Sequence, residues 1–209
     1  MTTKPILKSS LGTVDYYDSH AQEYFKTTVN LDLRELYERF LKELSPGAHI
    51  LDAGCGSGRD TKAFLNRGYR VTSIEASPEL ARLATAFTAH SCGILLFQDM
   101  DFREEFDGIW ACASLLHVPK HEMKDVLFRF IQALKPGGIF YISLKEGDAE
   151  QLATDGRFFS DYTAESFRNI VAPFHQLREL ALWKTEELRS QTHRQPWLNV
   201  LLRKVVQSR

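Results

Sequence analysis

Three glycines alternate with other residues at positions 54, 56 and 58, directly after a short apolar run. Glycine permits a tight turn and lets the backbone approach a ligand closely. The amides that open the following helix favour an anionic or polar group. Glu75 lies 21 residues after Gly54, at the predicted end of a second strand, where a carboxylate accepts hydrogen bonds from a ribose diol. The pattern predicts a site for a nucleotide-like ligand.

Two other interpretations of this loop stay open. A dinucleotide site has the spacing G-x-G-x-x-G, whereas here Gly58 comes one residue early and Arg59 holds the sixth position. That spacing argues against a pyrophosphate ligand. Alternatively, the glycines form a tight strand-to-helix turn that binds nothing, and Glu75 is solvated.

A histidine and two tyrosines are the candidates for proton transfer or substrate contact. His117 follows a predicted fourth strand and suits a base, because histidine titrates near neutral pH; alternatively, its ring bonds the loop backbone. Tyr16 and Tyr17 lie in a predicted N-terminal helix. Either phenol is expected to close over the ligand, with Tyr16 as the catalytic candidate, and packing of an amphipathic helix is the alternative.

Four cations are placed to meet a substrate. Lys145 and Arg157 follow the predicted fifth strand, and Arg189 and Arg194 lie between the last two strands. Together they suit a carboxylate or phosphate on the substrate, and Arg157 is the candidate taken into the catalytic set. The alternative for each cation is a solvent-exposed position at the rim of the site, without contact to a substrate.

A metal site is not predicted. His117 and His121 are four residues apart, as ligands on one helix face are, but Pro119 interrupts the segment and no third ligand is evident.

Strands and helices alternate from residue 49 onward. Predicted strands cover residues 49–53, 69–75, 94–98, 108–113 and 139–144, and predicted helices cover 59–67, 78–88 and 123–134. Alternation of this kind builds a parallel sheet with helices on both faces. Two further strand-like runs, 176–183 and 197–206, are expected to close one sheet edge as an antiparallel pair. The fold class is therefore α/β, a Rossmann-like seven-stranded sheet with the last strand antiparallel.

The first 45 residues are predicted to form a helical cap on a domain that spans residues 46–209. Residues 14–27 have a helical pattern rich in aromatics, and a second helix is expected to open at Asp32, with Glu35 completing a capping box. No linker divides the chain, so the cap belongs to the same domain.

Composition limits the partners. The chain has 209 residues and a formal net charge of −1, so no overall field attracts nucleic acid or an anionic membrane. The three cysteines do not resemble a disulfide framework, and neither a signal peptide nor a membrane span is visible. We expect a cytoplasmic protein, monomeric or homodimeric.

Three segments resemble motifs of class I S-adenosylmethionine (SAM) methyltransferases. Residues 50–58 (ILDAGCGSG) resemble their first motif, 106–110 (FDGIW) the start of their fourth strand, and 134–138 (LKPGG) the signature before their fifth strand. The resemblance covers roughly residues 45–145. Residues 156–159 and 197–202 are similar to a bacterial subgroup of tellurite-resistance-type methyltransferases.

The resemblance implies roles for the glycine loop. Asp52 orders the loop and reaches the amino group of SAM through water. Gly54 and Gly56 lie against the methionine part of SAM. Cys55 is a small residue within this cofactor-binding loop rather than a nucleophile.

The resemblance also implies contacts to the nucleoside. Glu75 takes the ribose hydroxyls, and Ala76 lies beside the adenine. Asp99 accepts from the adenine amino group, with the Met100 backbone nearby. Asp101 stands where a leucine is commoner in the family, so the choice between Asp99 and Asp101 stays open.

Methyl transfer from a sulfonium is an in-line displacement with a neutral leaving group, so positioning supplies most of the rate. A base is needed only when the acceptor loses a proton. The predicted function is a SAM-dependent methyltransferase with a small-molecule acceptor held between the cap, the His117 loop and Arg157. An RNA (tRNA base) methyltransferase and a non-catalytic SAM- or nucleoside-binding protein are the alternatives.

Overall fold

The computed structural model describes residues 7–188 and 195–205, with the backbone alone for residues 7–11. The helices are α1 Leu7–Ser19, α2 Ala21–Thr28, α3 Arg34–Leu41, α4 Arg59–Leu65, α5 Pro78–Thr88, α6 Lys120–Ala133 and α7 Ala164–Val171. The strands are β1 His49–Ala53, β2 Arg70–Glu75, β3 Cys92–Ile94, β4 Phe106–Cys112, β5 Leu134–Lys145, β6 Glu150–Leu152, β7 Phe158–Ser160, β8 Leu177–Thr185 and β9 Trp197–Lys204.

Within the described residues, seven strands form one sheet in the order β3-β2-β1-β4-β5-β9-β8. The first five are parallel, whereas β9 runs antiparallel to both β5 and β8. This arrangement confirms the predicted fold class and the predicted final pair. Because β1 lies between β2 and β4, the strand order reverses beside it, and a crevice opens at the carboxyl ends of β1 and β4.

Both faces of the sheet are covered by apolar side chains. One core cluster packs α6 against the sheet with Met123, Leu127 and Phe130. The other packs α3 and α4, and here the Trp110 and Tyr141 rings stack 3.9 Å apart. Since α3 contributes to this second cluster, it packs as one of the helices of the sheet, although it lies within the predicted cap.

Helix α1 is fixed over the carboxyl ends of the strands by hydrogen bonds on two sides. Asp18 Oδ1 accepts from Ser77 Oγ at 2.6 Å and from the Glu79 amide at 2.8 Å, at the start of α5. A carboxylate is stabilised there by the helix dipole. On the other side, the Phe158 amide donates to Thr13 Oγ1 at 3.0 Å. These contacts hold the N-terminal segment across the crevice.

Some local predictions are corrected. Helix α3 begins at Arg34, and Leu33 rather than Asp32 is its N-cap. The predicted capping box is wrong because the Asp32 carboxylate instead binds the Arg34 amide and guanidinium. The third strand is Cys92–Ile94, shorter and earlier than predicted, because the chain then turns through a short 3-10 helix, Phe97–Asp99.

A hairpin of two strands and a helix were not predicted from the sequence. Strands β6 and β7 form a separate hairpin, and α7 follows it with a capping box in which Ser166 stands at the position usually held by Glu or Gln. Within the described part of the chain, every helix is too short or too polar to cross a membrane.

Candidate active site

The glycine loop connects β1 to α4 and packs tightly on both neighbouring strands. The Gly54 and Cys55 amides both donate to the Ile74 carbonyl of β2, at 2.9 and 3.0 Å. Gly54 has φ +76°, and a Cβ atom there would lie 2.6 Å from the Ser114 Cβ atom. Only glycine satisfies both the backbone conformation and this close approach.

Glu75 ends β2 and binds the loop through its carboxylate. Its Oε2 accepts from the Gly56 amide at 2.9 Å, and its Oε1 accepts from the Ala76 and Ser77 amides at 2.8 and 3.0 Å. Burial raises the pKa of Glu75, although the three amides favour the charged form. The carboxylate therefore holds the loop and the strand end together at the edge of the crevice.

A cleft lies over the carboxyl ends of β1, β2 and β4. Four of the residues predicted to bind the cofactor line it: Gly54, Gly56, Glu75 and Ala76. The opposite wall is formed by Leu95, Leu96, Phe97 and Gln98. We call this the cofactor cleft.

The other four predicted cofactor residues lie outside the lining of this cleft. Asp52, Cys55 and Met100 are buried, and Asp99 is exposed, as is Asp101. The 3-10 turn after β3 brings Phe97 and Gln98, rather than Asp99, to the cleft. The structure therefore does not support direct adenine contact by Asp99.

Asp52 is buried near the end of β1, on the protein side of the glycine loop. Its Oδ2 accepts from Thr61 Oγ1 at 2.6 Å, which ties β1 to α4. Burial and the nearby charge of Asp60 raise its pKa. Asp60 is itself bound by Tyr37, Trp110 and Arg59.

Ser114 was missed as a site residue. It follows β4, lines the cofactor cleft, and is buried. Among the described residues, its Oγ has no hydrogen-bond partner. Because a buried hydroxyl without a partner is costly, this atom is placed to bind a polar ligand group beside Gly54. The signal available in the sequence was a serine directly after the strand on the other side of the crevice.

A second cavity opens next to the cofactor cleft. The two share Tyr17, Tyr24, Ala113 and His117. Further along, the second cavity is lined by Leu116, Ser143, Lys145, Arg157, Phe159 and Trp197, among others. We call it the acceptor cavity.

His117 stands at the junction of the two cavities with one ring nitrogen fixed. Its Nδ1 lies 2.7 Å from the Phe158 carbonyl oxygen, which only accepts hydrogen bonds, so Nδ1 carries the proton. In the neutral ring, Nε2 then accepts, and the Tyr17 hydroxyl donates to it at 2.9 Å. This arrangement gives a histidine with a basic nitrogen directed at a phenol.

Tyr17, and not Tyr16, holds the position predicted for the catalytic tyrosine. Tyr16 lines neither cavity, and its ring stacks on His20 at 4.2 Å. The Arg157 guanidinium lies 4.4 Å from the centre of the Tyr16 ring and 5.1 Å from that of Phe159. Tyr16 therefore contacts two residues that line the acceptor cavity, Arg157 and Tyr17, without lining the cavity itself.

The two predicted cations within the described residues are each near a carboxylate. Arg157 donates to Asp155 through Nη2 at 2.6 Å, and Lys145 Nζ lies 4.0 Å from a Glu187 oxygen. Both line the acceptor cavity, whereas Arg189 and Arg194 lie outside the described residues. Among residues 7–188 and 195–205, there is no group of three or more His, Cys, Asp or Glu side chains suited to a metal ion.

Residues 50–138 match a family described as a methyltransferase domain. The chain is 29% identical to the ubiquinone biosynthesis O-methyltransferase of Xanthomonas campestris pv. campestris (strain B100) over 168 residues, which cover 74% of this chain and 70% of that protein. The corresponding protein of Xylella fastidiosa (strain 9a5c) is 32% identical over 105 residues, 46% of this chain and 42% of the relative. This chain is a SAM-dependent methyltransferase.

Solved structures agree with the fold of the methyltransferase. A 1,6-didemethyltoxoflavin N1-methyltransferase from Burkholderia thailandensis, with S-adenosylhomocysteine bound, has a TM-score of 0.78 and 21% identity and covers 99% of this chain and 93% of its own. The [4+2]-cyclase SpnF has a TM-score of 0.74 and 16% identity, with coverage of 96% and 97%. At these identities the likeness concerns the fold alone.

Ser114→Ala in the methyltransferase is expected to act in opposite directions on stability and binding. Removing a buried hydroxyl that lacks a protein partner should leave the free enzyme as stable as before or more stable. Affinity for S-adenosylhomocysteine should fall by about 1 kcal/mol, the scale of one hydrogen bond. Thermal unfolding and titration calorimetry measure the two effects. Unchanged affinity would mean that the Ser114 hydroxyl does not contact the cofactor.

Proposed function

We propose that the enzyme methylates a hydroxyl group of a small aromatic acceptor that carries a negative charge. The observation that carries this proposal is the junction of the two cavities at His117 and Tyr17. A methyl group held in the cofactor cleft at this junction would face the acceptor cavity. A basic nitrogen beside the path of transfer suits an acceptor that loses a proton.

The residues around the cofactor cleft fit the parts of SAM. Glu75 would take the ribose hydroxyls, and Gly54 and Gly56 leave room for the methionine part, as the family resemblance implies. Ala76 and the wall at Phe97 offer apolar surface to the adenine. The Ser114 hydroxyl would bind a polar group near the methionine end. SAM supplies an activated methyl on a sulfonium, whose departure leaves a neutral thioether.

His117 and Tyr17 would remove the proton of the acceptor. The Phe158 carbonyl keeps the Nδ1 proton in place, so Nε2 is the atom that accepts. Tyr17 donates its hydroxyl proton to Nε2 and takes the proton of the acceptor hydroxyl as the new carbon–oxygen bond forms. Tyr17 thus replaces Tyr16 in the catalytic set, with His117 as the base.

The chemistry of the acceptor cavity supports an aromatic anion. Phe159 and Trp197 offer flat apolar surface, while Lys145 and Arg157 offer positive charge. Acidic residues also line the cavity, so an anion is expected to lie beside these two cations; the acidic residues are Asp32, Glu35, Glu38, Glu186 and Glu187. Arginine is well suited to a planar carboxylate. The relatives named ubiquinone biosynthesis O-methyltransferases support a hydroxyl as the methylated group, and the toxoflavin-type neighbour supports a small-molecule acceptor.

A turnover screen tests this function. Purified enzyme is incubated with SAM and either hydroxybenzoate-type acceptors or bulk tRNA, and release of S-adenosylhomocysteine is measured. We expect turnover with phenolic acids and none with tRNA, since the net charge of −1 offers little attraction to a polyanion. Turnover with tRNA alone would favour an RNA methyltransferase, and binding of SAM without turnover on any acceptor would favour a non-catalytic sensor. The tellurite-resistance-type resemblance stays a prediction about the subgroup.

Arg157→Ala is expected to raise the KM for the acceptor about tenfold and leave kcat within about threefold. The reason is that Arg157 would bind the acceptor equally well in the ground state and in the transition state. Loss of such binding raises KM and leaves kcat nearly unchanged. Steady-state kinetics with a phenolic acid and its uncharged amide measure the effect, which should be smaller for the amide. Arg168→Ala is the matched control, because Arg168 is exposed, pairs with Glu179 and does not line the acceptor cavity. An equal effect of both substitutions would contradict the role of Arg157.

A further inference from the structure

Two thiols meet behind the cofactor loop. The sulfur atoms of Cys55 and Cys92 lie 3.3 Å apart, and both residues are free cysteines. Cys55 belongs to the glycine loop, and Cys92 begins β3. Strand β2 lies between their backbones, since the Cys55 amide donates to Ile74 while Cys92 pairs with Ser73 in the parallel ladder. Neither sulfur has a role in the proposed methyl transfer.

The two thiols differ in access. Cys92 is partly exposed at the edge strand of the sheet, whereas Cys55 is buried. The contact with Cys92, together with burial, raises the pKa of the Cys55 thiol well above its usual range. Because oxidation follows exposure and thiolate character, an oxidant arriving from solvent reaches Cys92 first. Cys55 is the thiol close enough to react with the oxidised Cys92 and form a disulfide.

We propose that Cys92 and Cys55 form a reversible disulfide in response to a hydroperoxide, and that this bond weakens cofactor binding. The Cys92 thiolate attacks the peroxide oxygen, which breaks the oxygen–oxygen bond and gives a sulfenic acid and an alcohol, or water from hydrogen peroxide. The Cys55 sulfur then attacks the Cys92 sulfur and displaces hydroxide, which leaves as water with the Cys55 proton. The net change is two thiols and one peroxide to one disulfide, one alcohol and one water.

The bond would pull on the part of the loop that binds SAM. A disulfide has a sulfur–sulfur distance of about 2.05 Å, so the two sulfurs must approach by roughly 1.2 Å. Cys55 is flanked by Gly54, which lies against Ser114, and by Gly56, whose amide donates to Glu75. A shift of Cys55 toward β3 therefore disturbs the contacts on both sides of it. Displacements near 1 Å are large enough to disturb a site that depends on precise positioning.

Titration of the full-length enzyme with hydrogen peroxide tests this proposal. Peptide mapping without reduction should find the Cys55–Cys92 cross-link. Calorimetry should show at least tenfold weaker binding of S-adenosylhomocysteine, and dithiothreitol should restore it. Absence of the cross-link, or a cross-linked enzyme with unchanged affinity, overturns the proposal. Since the readouts are a covalent bond and cofactor binding, they do not depend on the identity of the methyl acceptor.

Cys92→Ser is the matched variant. In the reduced state it should bind S-adenosylhomocysteine as the wild type does, because Cys92 does not line the cofactor cleft. After the same peroxide treatment its affinity should stay within about twofold of its untreated value, a change of no more than about 0.4 kcal/mol. Equal loss of affinity in the wild type and in this variant would assign the effect to oxidation elsewhere and overturn the proposal. Reversal by dithiothreitol in the wild type provides an independent test should the variant fold poorly.

Discussion

Gly54→Ala is expected to weaken binding of S-adenosylhomocysteine at least a hundredfold. The new methyl group would lie 2.6 Å from the Ser114 Cβ atom and 3.4 Å from the Phe97 ring. Since Ser114 is buried in the wall of the cofactor cleft and cannot retreat without moving the end of β4, the loop must shift instead. Titration calorimetry measures the affinity, and circular dichroism verifies that the variant is folded.

Gly68→Ala is the control that separates this clash from backbone strain. Gly68 has φ +82°, close to the +76° of Gly54, but nothing lies within 4 Å of the position of its Cβ atom. Both substitutions therefore carry a similar conformational cost, about 1–2 kcal/mol. Only the Gly54 variant should lose the cofactor. If both variants bind S-adenosylhomocysteine equally well, the close approach of the loop to Ser114 does not matter for binding.

His117→Ala is expected to lower kcat by about a hundredfold to ten-thousandfold, the range for loss of a general base. Affinity for S-adenosylhomocysteine should change little, because the contribution of the ring is made in the transition state. The pH profile gives a second readout. Because a general base must be unprotonated to act, we expect the activity of the wild type to depend on pH, and the variant should lack the part of this dependence that the base causes.

His121→Ala is the matched control for this prediction. His121 is four residues away, largely exposed at the start of α6, and contacts Glu122. It should keep the kcat and the pH profile of the wild type. Tyr17→Phe should lower kcat as His117→Ala does, while Tyr16→Phe should not. If the His117 variant keeps the kcat of the wild type and the same pH dependence at low pH, His117 is not the base.

The fold was largely predictable because it depends on short-range patterns and chain order. Apolar runs separated by glycine and proline mark most strands and helices, and their alternation specifies a parallel sheet with its crevice at the carboxyl ends of the strands. The third strand was placed wrongly because residues 95–99 are apolar enough for a strand yet turn toward the cleft. The β6–β7 hairpin and α7 were missed because the hairpin strands have three residues each and the helix cap uses serine in place of glutamate.

The residues of the site also fall into two groups: those that the local sequence places and those that only tertiary contacts place. The sequence by itself determined the glycine loop, Glu75 and Ala76, because each adjoins the end of a strand and local spacing fixes its place. Only the tertiary structure decided between Tyr16 and Tyr17, since successive residues of a helix point about 100° apart and only contact with His117, 100 residues away, shows which one faces the cavities. The tertiary structure also decides the position of the Phe158 carbonyl, which fixes the tautomer of the His117 ring although the two residues are 41 positions apart in the sequence. The same is true of Ser114, which lies beside Gly54 because β4 is next to β1 in the sheet, and whose hydroxyl has no hydrogen-bond partner among the described residues. These contacts join distant parts of the chain, and no local pattern of residue types encodes them.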